Sequence, residues 1–543
     1  MARTTLVLLN GNVYTMDAQR PRARAVAIDQ HAGYISAVGD NTDVRAATGA
    51  HTEVIDLRGC TVLPGFIDAH IHLLGYAERR ARVQLDGCTS EDEAAERVRL
   101  QANQTPPGEW IGGDHWDKNL WPGGAFPTKA SLDYAAPNHP VALWSKDGHV
   151  LWVNSRALER AGITRETPDP PGGTILRDAQ GEPTGILQEY AAAGLVDALV
   201  TRPGPEESLR LLRRALHELL SHGITGIHDI EDDTALRLFE HLRDRGELAV
   251  RVVMYLPRYV LPELLRLGLQ SGFGDHYLRI GGIKIFADGT LGSQTAAMLQ
   301  PFEGQPENRG ILAITPAEMN AVLAVAAGGG VSVAIHAIGD RACRIALNGI
   351  EQALKTKPRG PARGLVDPHR LRFRLEHVQL IAPEDITRMA QLGVIASVQP
   401  FHAVADRDIA ERYWGRRARR AYPYATMLEQ GVSLALGSDA PVETFDSLRI
   451  LHAAVVRRDD QTPHRPPWTP DQALPLNRAI WAYTLGAAYA GGEERLKGTI
   501  TEGKLGDLVV LREDPFTIPP ERLTEAGIMA TIVGGQLMFG ELP

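Results

Sequence analysis

The middle of this chain alternates short apolar runs with helical stretches, eight times over, and few architectures accept that rhythm. The runs fall at residues 65–72, 223–230, 250–256, 278–287, 331–337, 371–378, 394–399 and 432–437. Helical patterns such as 206–221 and 316–327 separate them. Eight strands joined by helices predict an α/β fold with a parallel sheet closed into a (β/α)8, TIM-type barrel. The alternative, a doubly wound open sheet, lacks its usual sign, since no Gly-x-Gly-x-x-Gly follows a first strand. One interval is out of scale. About 150 residues separate the first two strands, where a simple unit needs roughly 30. The excess, about 86–205, is rich in Trp, Gly and Pro, and an insertion there emerges at the catalytic face of a barrel.

The two chain ends have a different texture. Apolar runs at 6–9, 25–28, 35–38 and 54–57 are punctuated by turn residues, the pattern of an antiparallel sheet. Runs at 506–511 and 528–533, the latter followed by Gly534-Gly535, repeat it. The expected organisation is a small composite β-sandwich domain from residues 1–63 and 486–543. It encloses a barrel domain of residues 64–485 that carries the insertion.

Composition narrows the function by exclusion. A chain of 543 residues with 44% hydrophobic and 23% charged residues has the ordinary globular balance. Its net charge of −9 argues against a nucleic-acid partner, which would require a basic face. Three scattered cysteines, Cys60, Cys88 and Cys343, offer neither a disulfide framework nor a paired-thiolate zinc site. The first apolar run spans about four residues, short of the roughly 7–15 of a signal-peptide core. No run approaches the roughly 20 of a membrane helix. A cytoplasmic protein without membrane contact is expected.

Chemistry appears at the strand ends. The first strand closes with His70-Ile71-His72, and residues two apart share a strand face, so both imidazoles point the same way. Alone, such a pair arises by chance often enough. Lys284, however, sits in an otherwise apolar fourth strand, where a lysine is expensive unless paired or modified. The fifth strand ends at His336, the sixth at Glu376-His377 and the eighth at Ser438-Asp439. Barrel enzymes gather their catalytic groups at these ends, and histidine with carboxylate is a divalent-metal donor set.

With these residues in view, the chain resembles the amidohydrolase superfamily, and within it the YtcJ-like branch (amidohydrolase family 3) that includes N-substituted formamide deformylases. The matching segments are Leu63-Pro-Gly-Phe-Ile-Asp-Ala-His-Ile-His72, Asp147-Gly-His149 with Asn154-Ser155, and Gly172-Gly-Thr-Ile. Later matches are Lys284-Ile-Phe-Ala-Asp-Gly289 with Thr295-Ala296, His336-Ala-Ile-Gly-Asp340, Glu376-His377, Gln399-Pro400 and Gly437-Ser-Asp439. Together they span essentially the whole chain. The resemblance implies that His70, His72 and Asp439 bind one metal and that His336 and His377 hold a second. Carbamylated Lys284 would bridge the two, zinc being the expected ion. It also implies a small-molecule substrate and a homo-oligomer, although no interface stripe stands out.

The implied reaction is hydrolysis of a non-peptide carbon–nitrogen bond, in an N-substituted formamide or another small acyl amide. Metal-activated hydroxide would attack the carbonyl, and Asp439 would carry the proton to the departing amine. Asp147, His149 and His402 are candidates for substrate contact. Trp110, Trp116, Trp121 and Trp144 could line an apolar wall or form the insertion's own core. Two enzyme alternatives stay open, a cyclic-amide hydrolase with the same metal set and a deaminase, which does not need Lys284. A non-catalytic metal-binding regulatory protein is the alternative of another class, and retention of all six ligand candidates argues against it.

Overall fold

The computed structural model describes residues 4–79, 82–201, 203–355 and 366–543. At its centre lie eight parallel strands in chain order: β1 (Phe66–Ile71), β2 (Ile224–Asp229), β3 (Arg251–Pro257) and β4 (Leu278–Phe286), then β5 (Ser332–Ala337), β6 (Arg374–His377), β7 (Ile395–Val398) and β8 (Leu434–Leu436). The expected barrel is therefore present. Its strands are buried along almost their whole length, as a sheet covered on both faces requires. Between β8 and β1 no ladder forms. Two backbone bonds join the strands just past their C-terminal ends instead: Asp439 N–H to the His70 carbonyl at 2.7 Å, and His72 N–H to the Ala440 carbonyl at 2.8 Å.

The surrounding helices follow ordinary rules. Helix Pro205–Ser221 opens with proline and two glutamates in its first turn and buries Leu209, Leu212, Leu216 and Leu219, a three-to-four spacing along one face. Helix Pro316–Gly329 begins with a reciprocal Thr315–Glu318 capping box. Among the described residues no helix is long and apolar enough to cross a membrane.

The chain ends build two facing sheets. One has the order Tyr34–Gly39, Ala25–Asp29, Leu6–Leu9, Glu53–Asp56. The other has the order Gln536–Gly540, Ile528–Val533, Leu508–Leu511, Thr61–Pro64, Asn12–Tyr14, Arg22–Ala23. Leu8, Ile28, Val62, Val510 and Ile532 belong to one buried cluster that spans both. The first sheet departs from the antiparallel expectation, because Leu6–Leu9 pairs parallel with Glu53–Asp56. The two strands are not hairpin neighbours, so nothing forces them antiparallel. Gly534 and Gly535, with φ of 56° and 79°, make the two-residue turn between Ile528–Val533 and Gln536–Gly540 that positive φ at both central positions requires.

The insertion carries its own six-stranded sheet, from Val83–Gln84 to Pro183–Gln188. Helices such as Glu91–Ala102 and Ser155–Ala161 flank it.

Candidate metal centre

The end of β1 is fixed before its histidines are. Asp68 Oδ1 accepts the N–H groups of His70 (3.1 Å) and Ser438 (2.9 Å), tying β1 to the segment after β8. A Cβ on Gly437 would lie 2.5 Å from the His70 nitrogen, so only glycine permits this approach. His70 Nδ1 then donates to Glu376 Oε2 at 2.5 Å, and His72 Nδ1 donates to the Ile230 carbonyl at 2.7 Å. Each acceptor places the ring proton on Nδ1 and leaves the Nε2 lone pair free for a metal. These two Nε2 atoms lie 3.2 and 3.3 Å from the same oxygen, Oδ1 of Asp439.

Glu376 is itself held by Arg374, whose Nε and Nη2 donate at 2.5 and 2.9 Å, both side chains being wholly buried. Arg374 also donates to Ser397 Oγ at 2.8 Å and contacts His228 Nδ1 at 2.8 Å. The ring orientation of His70 thus rests on a polar layer inside the barrel. Burial, with Lys284 beside it, holds His70 below the ordinary imidazole range. Burial likewise keeps His336 and His377 neutral, the state in which imidazole is a ligand.

Lys284, on β4, lies with its Nζ 3.5 Å from His70 Nε2 and 4.8 Å from the Phe286 ring centroid. Burial pushes its amine down to about 8. Backbone strain gathers nearby. His377, Val378 and Asp439 have φ of 73°, 47° and 62°, left-handed values that side chains larger than glycine rarely adopt.

Asp439 offers its second oxygen to a second group. His402 Nε2 lies 3.1 Å and His377 Nδ1 3.9 Å from Oδ2. Two sets could each hold an ion, His70 with His72 and Asp439, and His377 with His402 and Asp439; in each set the ligand atoms lie within 4.8 Å of one another. The donor chemistry fits a divalent metal. His336 stands one ring back, its centroid 4.5 Å from that of His377, with Nε2 bonded to the Gly289 carbonyl at 3.1 Å. The distance grouping thus brings His402 to His377 and Asp439, while His336, the expected partner of His377, stays in ring contact with it.

The other expected contacts divide. His149 lies between His336 and Tyr190, at centroid distances of 5.2 and 5.3 Å, and its Nδ1 meets Glu189 Oε2 at 2.8 Å. Both Asp147 oxygens are engaged, Oδ1 by Ser145 and Oδ2 by Thr290 and Ser293 at 2.6 Å each, which latches the insertion to the loop after β4. Trp116 and Trp121 pack with Trp152 in the insertion's core, Trp116 also bordering the cavity above the histidines. Trp110 and Trp144 pack on a second insertion cluster. That cavity measures about 460 Å³ and is also lined by Tyr190, Phe286, Lys146 and Glu443. The Arg374–Glu376 pair was readable as alternating charges in an apolar strand. Nothing in the sequence marked Tyr190, or the 2.7 Å Lys146–Glu443 pair.

The amidohydrolase family model matches residues 53–539. The chain belongs to the amidohydrolase family. As an amidohydrolase it is a hydrolase of carbon–nitrogen bonds, and the resemblance seen in its motifs is borne out. It is 32% identical to YtcJ of Bacillus subtilis over 97% of this chain and 98% of that one. It is 30% identical to the N-substituted formamide deformylase of Arthrobacter pascens over 98% of both chains. An uncharacterised metal-dependent hydrolase from Pyrococcus horikoshii superposes with a TM-score of 0.74 at 27% identity, covering 95% of this amidohydrolase and 99% of the other.

Proposed function

We propose that this amidohydrolase cleaves the amide bond of small, non-peptide acyl amides, N-substituted formamides among them. The observation that carries the reading is the convergence of the His70 and His72 Nε2 atoms on Asp439 Oδ1, with Lys284 Nζ alongside. His70, His72 and Asp439 would hold one divalent ion, with zinc the expected metal for imidazole and carboxylate donors. His377 with His336 or His402 would hold another, and a carbamate on Lys284 would give both an anionic oxygen ligand. A bound divalent cation supplies Lewis acidity, lowering the pKa of water toward roughly 7 and polarising the acyl carbonyl.

The chain's own groups do the rest. Asp439, with one oxygen toward the His70–His72 pair and the other toward His402, accepts a proton from water and returns it to the amine nitrogen as the bond breaks. His402 holds the carboxylate in that orientation. Against burial, the Glu189 carboxylate holds His149 above the ordinary imidazole range, so the ring in its imidazolium form, bonded to Glu189 through Nδ1, faces the acyl group and donates to its oxygen from Nε2. Asp147 acts one step away by fixing the loop that carries Thr290 and Ser293.

Metal analysis of the purified protein, followed by a panel of N-substituted formamides, acyl amides, lactams and esters, tests the reading. The expected result is bound divalent metal and turnover of open-chain amides. Asp439→Asn should keep the circular dichroism of the parent and lose roughly 100- to 10,000-fold in turnover. Near-parental turnover in that variant would remove Asp439 from the mechanism. Selective lactam hydrolysis would move the reading to a cyclic-amide hydrolase, and a metal-loaded protein inert to the whole panel would end it.

A further inference from the structure

Away from the histidines, the cavity wall is formed by the insertion and by the helix Arg407–Trp414 after β7. Among the described residues two cations there make no ion pair within 4.0 Å, although Arg412 acts at longer range on Asp408 one turn away. Lys118 is 5% exposed and borders the cavity. Its ammonium has two long contacts to neutral acceptors, the Tyr413 hydroxyl at 3.3 Å and the Gly124 carbonyl at 3.4 Å, and stands 4.9 Å from the Phe126 ring centroid. The Tyr413 proton is already committed to Asn119 Oδ1 at 2.8 Å. Arg412 borders the same cavity, and a Cβ on Gly124 would lie 3.6 Å from its Nη1. The two cations flank one ring, Lys118 Nζ at 5.6 Å and Arg412 Cζ at 5.8 Å from the Tyr413 centroid.

Among the described residues no carboxylate lies within 4.0 Å of either cation. The acids of that wall are engaged elsewhere. Asp117 accepts from Asn119, Asp406 from the Tyr422 hydroxyl, Asp408 from Arg465 and Glu443 from Lys146. A buried ammonium without an opposite charge is costly, and a wall that maintains one beside an open cavity is suited to an anion that arrives with the ligand.

We propose that Lys118 and Arg412 form an anion-holding end of the cavity and that the preferred amide carries a carboxylate there, as an N-acylated amino acid does. The proposal rests on the hydrolase reading above for its substrate class, though not for the site itself. The carboxylate bonds to the buried ammonium and to the guanidinium at the rim, and the acyl group extends toward Asp439. One buried positive charge matches the single negative charge of a carboxylate.

The test compares N-formylphenylalanine, as both enantiomers, with N-formylphenylalaninamide, which has nearly the same shape without the charge. On the metal-loaded protein kcat/KM should favour one enantiomer of the acid by about ten-fold or more. Lys118→Met should abolish the preference, Lys118→Arg should retain most of it, and Arg412→Gln should reduce it. Arg412 is exposed, so its variant leaves the core untouched. Equal rates for acid and amide in the parent, or a preference that survives both Lys118→Met and Arg412→Gln, overturns the proposal.

If the parent hydrolyses neither compound nor any other amide, the hydrolase reading has failed and binding decides the subsite. Calorimetry on chelator-stripped protein, where no metal competes for the carboxylate, should show 3-phenylpropionate binding at least about five-fold tighter than 3-phenylpropanamide. The difference should vanish in Lys118→Met. Equal binding of the two overturns the subsite.

Discussion

Glu376 stands beneath the metal-facing rings, where a carboxylate is costly, and two opposite demands meet on it. Arg374 neutralises it from below while His70 draws on it from the side. Replacing it with glutamine removes the charge that strengthens the His70 Nδ1–H bond and leaves the Arg374 guanidinium buried beside a neutral amide. Glu376→Gln should therefore weaken metal affinity by about 10- to 100-fold, read by competition against a chelator of known affinity. Unchanged affinity would mean that the ring is oriented by packing alone. At this scale the sequence spoke through contrast. His70, His72, Lys284 and Asp439 were visible because polar groups interrupt apolar runs, and Arg374 with Glu376 shows the same contrast. Lys118 and Arg412 were not visible. A cation's missing partner is a property of three-dimensional surroundings, and Lys118 meets Arg412 and Tyr413 from the opposite half of the chain.

Side-chain bonds join the elements that shape the cavity, and Asp147 makes one such joint. Its Oδ2 holds the hydroxyls of Thr290 and Ser293, so the insertion is tied to the loop after β4. Asp147→Ala frees both hydroxyls and leaves Ser145 without its acceptor. The expected effect is faster backbone hydrogen exchange through residues 289–296, with the exchange of β4 itself unchanged, and a stability loss of about 1–3 kcal/mol. Exchange indistinguishable from the parent would deny the latch. Strand order in the barrel was legible because helix–strand alternation leaves little choice of topology. The parallel pairing of Leu6–Leu9 with Glu53–Asp56 was not, since alternation within a strand fixes which face is buried and says nothing of its neighbour's direction.

Across the whole molecule, barrel and terminal sheets share one buried ion pair. Arg251, at the start of β3, donates to both oxygens of Asp507 at 2.6 and 2.8 Å, and Asp507 also receives the Gly534 N–H at 2.8 Å. Asp507→Ala strands a buried guanidinium and should cost about 3–5 kcal/mol, lowering the denaturant midpoint of the barrel and of the sheets together. Separate transitions would show that the two units are uncoupled. That both ends contribute strands was readable from their shared texture. Which strands meet was not, because register across so long a separation is set by packing rather than by any local turn. The pairing of Thr61–Pro64 with Leu508–Leu511 has a temporal side. During synthesis the strand leading into β1 is made several hundred residues before its partner. The nascent chain carries that edge without Leu508–Leu511 while the eight barrel strands emerge, so the support of β1 and of His70 is completed only after the barrel itself has been made.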